Sequence, residues 1–255
     1  MCAVTSKAKT AFVAIALIAI GGLSAQAEVT CSERSFDGLA YTACEVDPRV
    51  DDLRLFLDAP SGEKYGQFST IDGALANEGK TLIFGMNGGM YHNDRAPVGH
   101  YIEDGQEIMR VIPNAGPGNF GLLPNGVFCI QNDRADVIET LTYDAARPNC
   151  RFATQSGPML VIDGELHPRF LKDSTSRYIR NGVGTSEDGA RVVFVISDQS
   201  VTFHEFGRIF RDDLGLPNAL FLDGSVSRLH APQLNRSDFG RWLGPIVGVV
   251  APLDR

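Results

Sequence analysis

"RVVFVISDQSVTFHEFGRIFRDDLGLPNALFLDGS", residues 191–225, contains a strand, a helix and a second strand in direct succession. The opening "RVVFVIS" (191–197) and the closing "ALFL" (219–222) are short apolar runs, rich in β-branched and aromatic side chains and bounded by turn residues, and they read as strands. Between them Thr202 is followed three residues later by Glu205, the reciprocal pairing of a capping box. Phe203, Phe206, Ile209, Phe210 and Leu214 then recur at helical spacing. Gly215 ends the pattern and Pro217 follows it, as helix C-termini prefer. A strand–helix–strand passage of this kind predicts an α+β domain around a mixed sheet.

Working outward, strands are predicted at "LRLFL" (53–57), "TLIFGM" (81–86), "GVFCI" (126–130), "MLVI" (159–162) and "IVGVVA" (246–251). Asp163-Gly164 is a tight-turn signal joining 159–162 to a short return that ends near His167. Asp188-Gly189 joins "GVGTS" (182–186) to the strand at 191–197. One further helix, about 70–78, ends at Gly79. The predicted fold class is α+β: a mixed, largely antiparallel β-sheet core with a few helices. No Pro/Ser-rich linker, internal repeat or low-complexity segment divides the chain, so residues 28–255 are expected to form a single domain.

Residues 1–27 read differently. Lys7 and Lys9 precede a ten-residue apolar stretch, Ala11 to Ile20, and Ala25-Gln26-Ala27 fits a small-x-small cleavage site. This is the pattern of a secretory signal peptide, shorter than the roughly 20 residues of a membrane span. The expected product is periplasmic or secreted, with no stable membrane insertion after cleavage. The whole chain carries a formal net charge of −8, and loss of the two lysines leaves −10, a balance that argues against nucleic acid as a partner. Cleavage also removes Cys2. Cys31, Cys44, Cys129 and Cys150 then imply two disulfides in an exported chain. Three connectivities are open, and short-loop closure favours Cys31–Cys44 with Cys129–Cys150. Zinc is disfavoured because no CxxC or CxH spacing occurs.

Polar clusters fall at predicted strand ends, where sheet proteins expose functional groups. "MNGGMY" (86–91) places Asn87, Gly88 and Gly89 where a core strand stops, and glycine allows a ligand close to the main chain. "TSRYIRNGVG" (175–184) carries Arg177, Arg180 and Asn181, and a guanidinium offers a planar donor fork for phosphate or carboxylate. Ser197-Asp198 ends the strand before the capped helix. Asp223-Gly224 ends the next strand, in a turn that would expose Ser225 and Ser227. Singly, each cluster reads as a turn, and Glu205 is accounted for by its cap. No Walker loop, GxSxG elbow, HExxH or EF-hand pattern occurs. A metal set drawn from Asp198, Asp223, His92 and His204 has no supporting spacing.

In series, "FGMNGGMY", "SGPMLVIDGE", "RNGVGTSEDGARVVFVISD" and "VTFHEFGRIFRDDLGLPNALFLDGS" resemble the phosphodiester glycosidase family in order and spacing, from about Leu53 to about Ala251, and look closer to its bacterial branch. The resemblance implies a hydrolase for the glycosidic bond of a sugar-1-phosphodiester, acting on a small-molecule or polymeric glycan without a cofactor. It places the family's Asn-Gly-Gly on Asn87, Gly88 and Gly89, its arginine on Arg180, its strand-closing aspartate on Asp198, its helix start on Thr202 and Glu205, and its Asp-Gly-Gly-x-Ser on Asp223–Ser227. Ser225 replaces the second glycine of that motif. A phosphodiester leaves readily without protonation, so one carboxylate with an arginine on the phosphate would suffice, unlike the paired carboxyls of ordinary glycosidases. The expected order for that carboxylate is Asp223, Glu205, Asp198, with Arg180 as the clamp. Asn87, Gly88, Gly89, Asn181, Ser225 and Ser227 complete the expected substrate-binding set, Asn87 bonding a sugar hydroxyl or phosphate oxygen while the two glycines keep side chains clear. The alternatives are an envelope protein that binds glycans without catalysis, for which Ser225 speaks, and a calcium-dependent hydrolase.

Overall fold

The computed structural model describes residues 1–3 and 29–253. The expected signal segment therefore lies, but for its first three residues, outside the described residues. Strands and helices are numbered along the chain. The largest sheet, seven strands, runs in the order β1 (Thr30–Phe36), β2 (Leu39–Val46), β13 (Val192–Ser197), β12 (Asn181–Thr185), β14 (Asn218–Asp223), β10 (Met159–Ile162), β11 (Glu165–Leu166). A second sheet runs β16 (Arg236–Ser237), β15 (Leu229–Ala231), β4 (Lys80–Asn87), β17 (Ile246–Pro252), β3 (Asp52–Phe56). The third runs β6 (Gln106–Met109), β5 (Tyr101–Glu103), β9 (Phe152–Ser156), β7 (Gly126–Ile130), β8 (Ala135–Glu139). Three short helices complete the set: α1 (Phe68–Ala76), α2 (Thr140–Ala146) and α3 (Phe203–Arg208).

The fold class is α+β. Every strand pair among the described residues is antiparallel, including those flanking the passage at 191–225. The strand–helix–strand unit does not pair its own strands: β13 and β14 lie on opposite edges of β12 and run in the same direction with that strand between them. The helix thus crosses over one antiparallel neighbour instead of building a parallel pair.

Packing explains why α3 sits there. Phe206, Ile209, Phe210 and Leu214 are buried against Leu160, Val193, Ala219 and Phe221 of the seven-stranded sheet. A Cβ on Gly184 of β12 would stand 2.8 Å from both Phe210 and Leu216, so this strand position must stay bare for the helix aromatics to reach the sheet. The predicted capping box is present: the Thr202 hydroxyl accepts from the Glu205 amide at 3.2 Å, and the Glu205 carboxylate accepts from the Thr202 amide at 2.8 Å. Beyond Arg208 the helix widens into a π-turn over Ile209–Asp213 before Gly215 stops it at φ 64°.

The three sheets share one core. Phe194 of β13 meets Phe84 of β4 at 4.9 Å and Phe128 of β7 edge-on at 5.8 Å, so one ring joins all three. The disulfides pair Cys31 with Cys44, across the β1–β2 hairpin, and Cys129 with Cys150, as the short loops predict. Among the described residues no helix is long and apolar enough to cross a membrane.

Candidate active site

The corner where the first two sheets meet is stitched by two asparagines. Asn87 ends β4, and Asn181 begins β12 directly opposite Asp223 in the ladder. The Asn87 Nδ2 donates to Asn181 Oδ1 at 3.0 Å, and Asn181 Nδ2 donates to the Asn87 carbonyl at 3.0 Å. The Arg228 amide donates to Asn87 Oδ1 at 3.0 Å. Both asparagines have no solvent exposure. They bond to each other, to backbone and to the Ser227 hydroxyl, so their effect on a ligand is through the position of what they hold.

What they hold is the turn 223–228. The Asp223 carboxylate accepts from the Gly224 and Ser225 amides at 2.6 and 2.8 Å. The Ser227 hydroxyl sits 3.0 Å from the Ile179 carbonyl and 3.1 Å from that of Asp223, a second tie across the turn. Asp223 is 8% exposed, and burial raises its pKa above the ordinary carboxylate value, against the pull of the backbone donors of Ser225, Gly224 and Val226. Ser225 is exposed and its φ is not positive, so serine in place of the family's second glycine brings no backbone strain.

Asp223 opens onto a cavity of about 590 Å³. Its walls are the turn 223–226, residues 90–93, 95 and 98 of the segment that follows Asn-Gly-Gly, the loop 117–120, and Arg241 with Trp242. Asp223 is the single acidic residue among them. A slightly larger cleft, about 650 Å³, lies beside β2 and the 186–191 turn, but there Arg49 pairs with Asp47 and Arg191 with Glu45. We place the candidate site at the smaller cavity, because the carboxylate facing it has no cationic partner within ion-pair distance among the described residues.

Arg180 is 1% exposed and is not in the cavity wall. Its guanidinium lies 3.7 Å from the Phe203 ring centroid, with Nε donating to the Val201 carbonyl and Nη2 to the Ser176 carbonyl. Nη1 has no hydrogen-bond partner among the described residues and lies 3.6 Å from where a Cβ on Gly224 would stand. Burial lowers its pKa to about 10, which leaves it charged at neutral pH. Gly88 and Gly89 are bare for packing reasons. A Cβ on Gly88 would meet the β17 backbone at 3.0 Å, and one on Gly89 would meet the Thr154 hydroxyl at 2.7 Å.

The other two carboxylates lie outside this group. Glu205 closes the capping box and pairs with Arg177 at 2.5 Å. Asp198 pairs with Arg236 at 2.8 Å and accepts from the Thr42 hydroxyl. The structure thus gathers Asn87, Gly88, Gly89, Asn181, Asp223, Ser225 and Ser227 at one corner, with Arg180 behind it, and leaves Asp198 and Glu205 out of the cavity wall.

Sequence reasoning missed Tyr91, Arg95, Arg241 and Trp242, which line the cavity. The signal available was weak: an arginine in a turn just after Asn-Gly-Gly, and the chain's single tryptophan beside another arginine. Among the described residues no group of three His, Cys, Asp or Glu is placed to hold a metal ion.

Comparison with known proteins bears on the family and the fold. Residues 80–250 match the family model for phosphodiester glycosidase. The uncharacterized protein YigE of Escherichia coli K12 is 30% identical over 227 residues, which is 89% of this chain and 87% of that one. Among solved structures, the zebrafish N-acetylglucosamine-1-phosphodiester α-N-acetylglucosaminidase catalytic domain, auto-inhibited by its pro-peptide, superposes with a TM-score of 0.59 at 15% identity, covering 88% of this chain and 82% of that one. A hypothetical protein from Synechocystis superposes equally well, TM-score 0.59 at 14% identity, over 89% of this chain but only 62% of its own length. With the family model spanning well over half of its length, the chain belongs to the phosphodiester glycosidase family.

Proposed function

We propose that this chain is an exported hydrolase that cleaves the glycosidic bond of a sugar-1-phosphodiester, with Asp223 as its working carboxylate. The observation that carries this is the position of Asp223: the one acid in the cavity wall, buried, without a cationic partner, on a turn pinned at both ends. In the reaction the bond between the anomeric carbon and the bridging oxygen breaks, and the phosphate leaves with the electron pair. Either water forms the new bond to that carbon while Asp223 takes its proton, or Asp223 attacks the carbon first and water then hydrolyses the glycosyl ester and restores the carboxylate. No acid is needed for the leaving group, which accords with a wall holding a single carboxylate.

Arg180 supports the phosphate half of this reading. It is a buried cation with no carboxylate partner within ion-pair distance among the described residues, and one of its donors is bare beside Gly224. A buried charge in that state is stabilised by an anion arriving at the turn. Asn87, Asn181 and Ser227 act by fixing the turn, while Ser225 stands at the cavity surface. Export is supported by the signal pattern at residues 1–27 and by two disulfides.

The test is release of a chromogenic alcohol phosphate from a sugar-1-phosphodiester, with and without chelator. Turnover unaffected by chelation is expected. Glycan binding with no turnover on any sugar phosphodiester would put a non-catalytic envelope protein in its place, and loss of turnover on chelation would put a metal-dependent hydrolase there.

A further inference from the structure

Six buried side-chain polar atoms lack a hydrogen-bond partner among the described residues, and four of them belong to three arginines around the Asp223 corner: Arg95 Nε, Arg180 Nη1, and Arg228 Nε and Nη2. Arg95 lies in the cavity wall itself, together with Arg241, and neither has a carboxylate partner among the described residues. In a chain with a net charge of −8, two unpaired guanidinium groups facing one cavity run against the overall balance.

Arg95 is also held at a backbone position that does not suit it. Its φ is 68°, at the tip of a tight turn in which the Arg95 amide donates to the His92 carbonyl and the His92 amide to the Ala96 carbonyl. Glycine or asparagine is the usual occupant of such a position. The side chain is aimed by Trp242, whose ring centroid is 5.2 Å from the Arg95 guanidinium carbon. The half-exposed ring packs over Gly66, and its backbone is tied on both sides. A Cβ on Gly66 would collide with the ring, the Tyr91 hydroxyl donates to the Trp242 carbonyl at 3.2 Å, and the Leu243 amide donates to the Gly66 carbonyl at 2.8 Å.

We infer that Arg95 and Arg241 form an anion-binding subsite in the wall of the Asp223 cavity, with Trp242 as the residue that positions Arg95, and that this subsite takes a phosphate group of the substrate. Assigning that anion to the substrate rests on the glycosidase reading; the capacity to bind a phosphate does not. Both arginine side chains line the cavity without an ion-pair partner among the described residues, and guanidinium donor forks suit phosphate oxygens.

The chain's single tryptophan is part of the subsite, so its fluorescence reports occupancy without any turnover. Inorganic phosphate and glucose 1-phosphate are titrated at constant ionic strength, with methyl glucoside as the neutral control. A saturable change in emission is expected with both phosphates and not with the control, in the native chain and in Asp223→Asn alike. Arg95→Gly, which relieves the positive φ, is expected to bind at least ~10-fold more weakly, in line with loss of a charge-assisted contact. The exposed Arg241→Gln is expected to weaken binding without loss of fold, and the double variant to abolish it. No saturable change in the native chain, or unchanged affinity in the double variant, would overturn the subsite. Hydrolysis of a sugar phosphodiester is followed in parallel. Turnover without any phosphate response leaves the glycosidase reading and removes the subsite, whereas a phosphate response without turnover on any diester does the reverse.

Discussion

The corner at Asn87, Asn181 and Asp223 and the flank at Asp198 and Glu205 are built from the same materials. Each places carboxylates and arginines at the end of a strand of the seven-stranded sheet or just beyond it. In the flank every carboxylate has been met by a cation: Asp198 by Arg236, Glu205 by Arg177. In the corner the polar side chains are met by amides and carbonyls, so the Asp223 charge stays uncompensated and the surrounding arginines stay unpaired. Pairing turns a charge into structure, whereas leaving opposite charges apart across a cavity keeps both for something that enters it.

The largest effect expected from this difference is on the rate. Asp223→Asn should lower turnover by ~10²–10⁴-fold, the usual contribution of a positioned acid or base. Its thermal stability at neutral pH should hold or rise, measured by calorimetry. The sign follows from burial: the folded-state pKa lies above the unfolded one, so ionisation opposes folding as pH climbs past about 3.9. For the same reason the acid limb of the native rate profile should fall above the ordinary aspartate value. An acid limb at or below about 3.9 would count against Asp223.

Asn87→Ala should act mainly on stability. It leaves the Arg228 amide unsatisfied in a dry corner and Asn181 Oδ1 with only the Ser227 hydroxyl at 3.4 Å, which costs about 1–3 kcal/mol. Turnover should fall with it, because the turn carrying Asp223 loses an anchor. Denaturant unfolding checks the first effect and kcat the second. A soluble, fully stable and inactive Asn87→Ala would mean that Asn87 touches substrate directly.

On the flank the effects shrink. Glu205→Ala removes a capping box and a partly exposed ion pair, together about 1 kcal/mol, and should leave turnover within a few-fold of native. Asp198→Asn should cost about 0.5 kcal/mol, since its pair with Arg236 is partly solvated. A rate loss in either variant as large as that of Asp223→Asn would erase the distinction between the two regions.

Much of the fold was legible because its signals are local. The capping box, the helix stop at Gly215 and the Asp163-Gly164 turn each depend on a few neighbouring residues. The hairpins β1–β2 and β5–β6 carry the same Asp-Gly signal, at Asp37-Gly38 and Asp104-Gly105, and the structure shows these residues at φ between 47° and 79°. The strands they join carry little apolar patterning: β1 and β6 are largely exposed, and β5 has three residues. The antiparallel order of the seven-stranded sheet was hidden for another reason: whether a crossover helix skips a strand depends on what lies beneath it, here the bare Gly184. The site divides in the same way. Asp223 stands at a strand end that sequence marks, but its pairing with a wall made from residues 95 and 242 joins points nearly 150 positions apart. Nothing in either segment announces the other.

The place of β17 inside its sheet, between β4 and the edge strand β3, has a consequence for when this molecule becomes competent. A chain synthesised only as far as residue 245 has β4 and β3 and no strand between them, so Asn87 ends a strand whose neighbour has not yet arrived, and Gly88 has no Pro245 carbonyl firmly in place. Assembly of the cavity therefore waits for the closing stretch of the polypeptide, and a protease that clips that stretch would dismantle the pocket from behind without touching any residue that lines it.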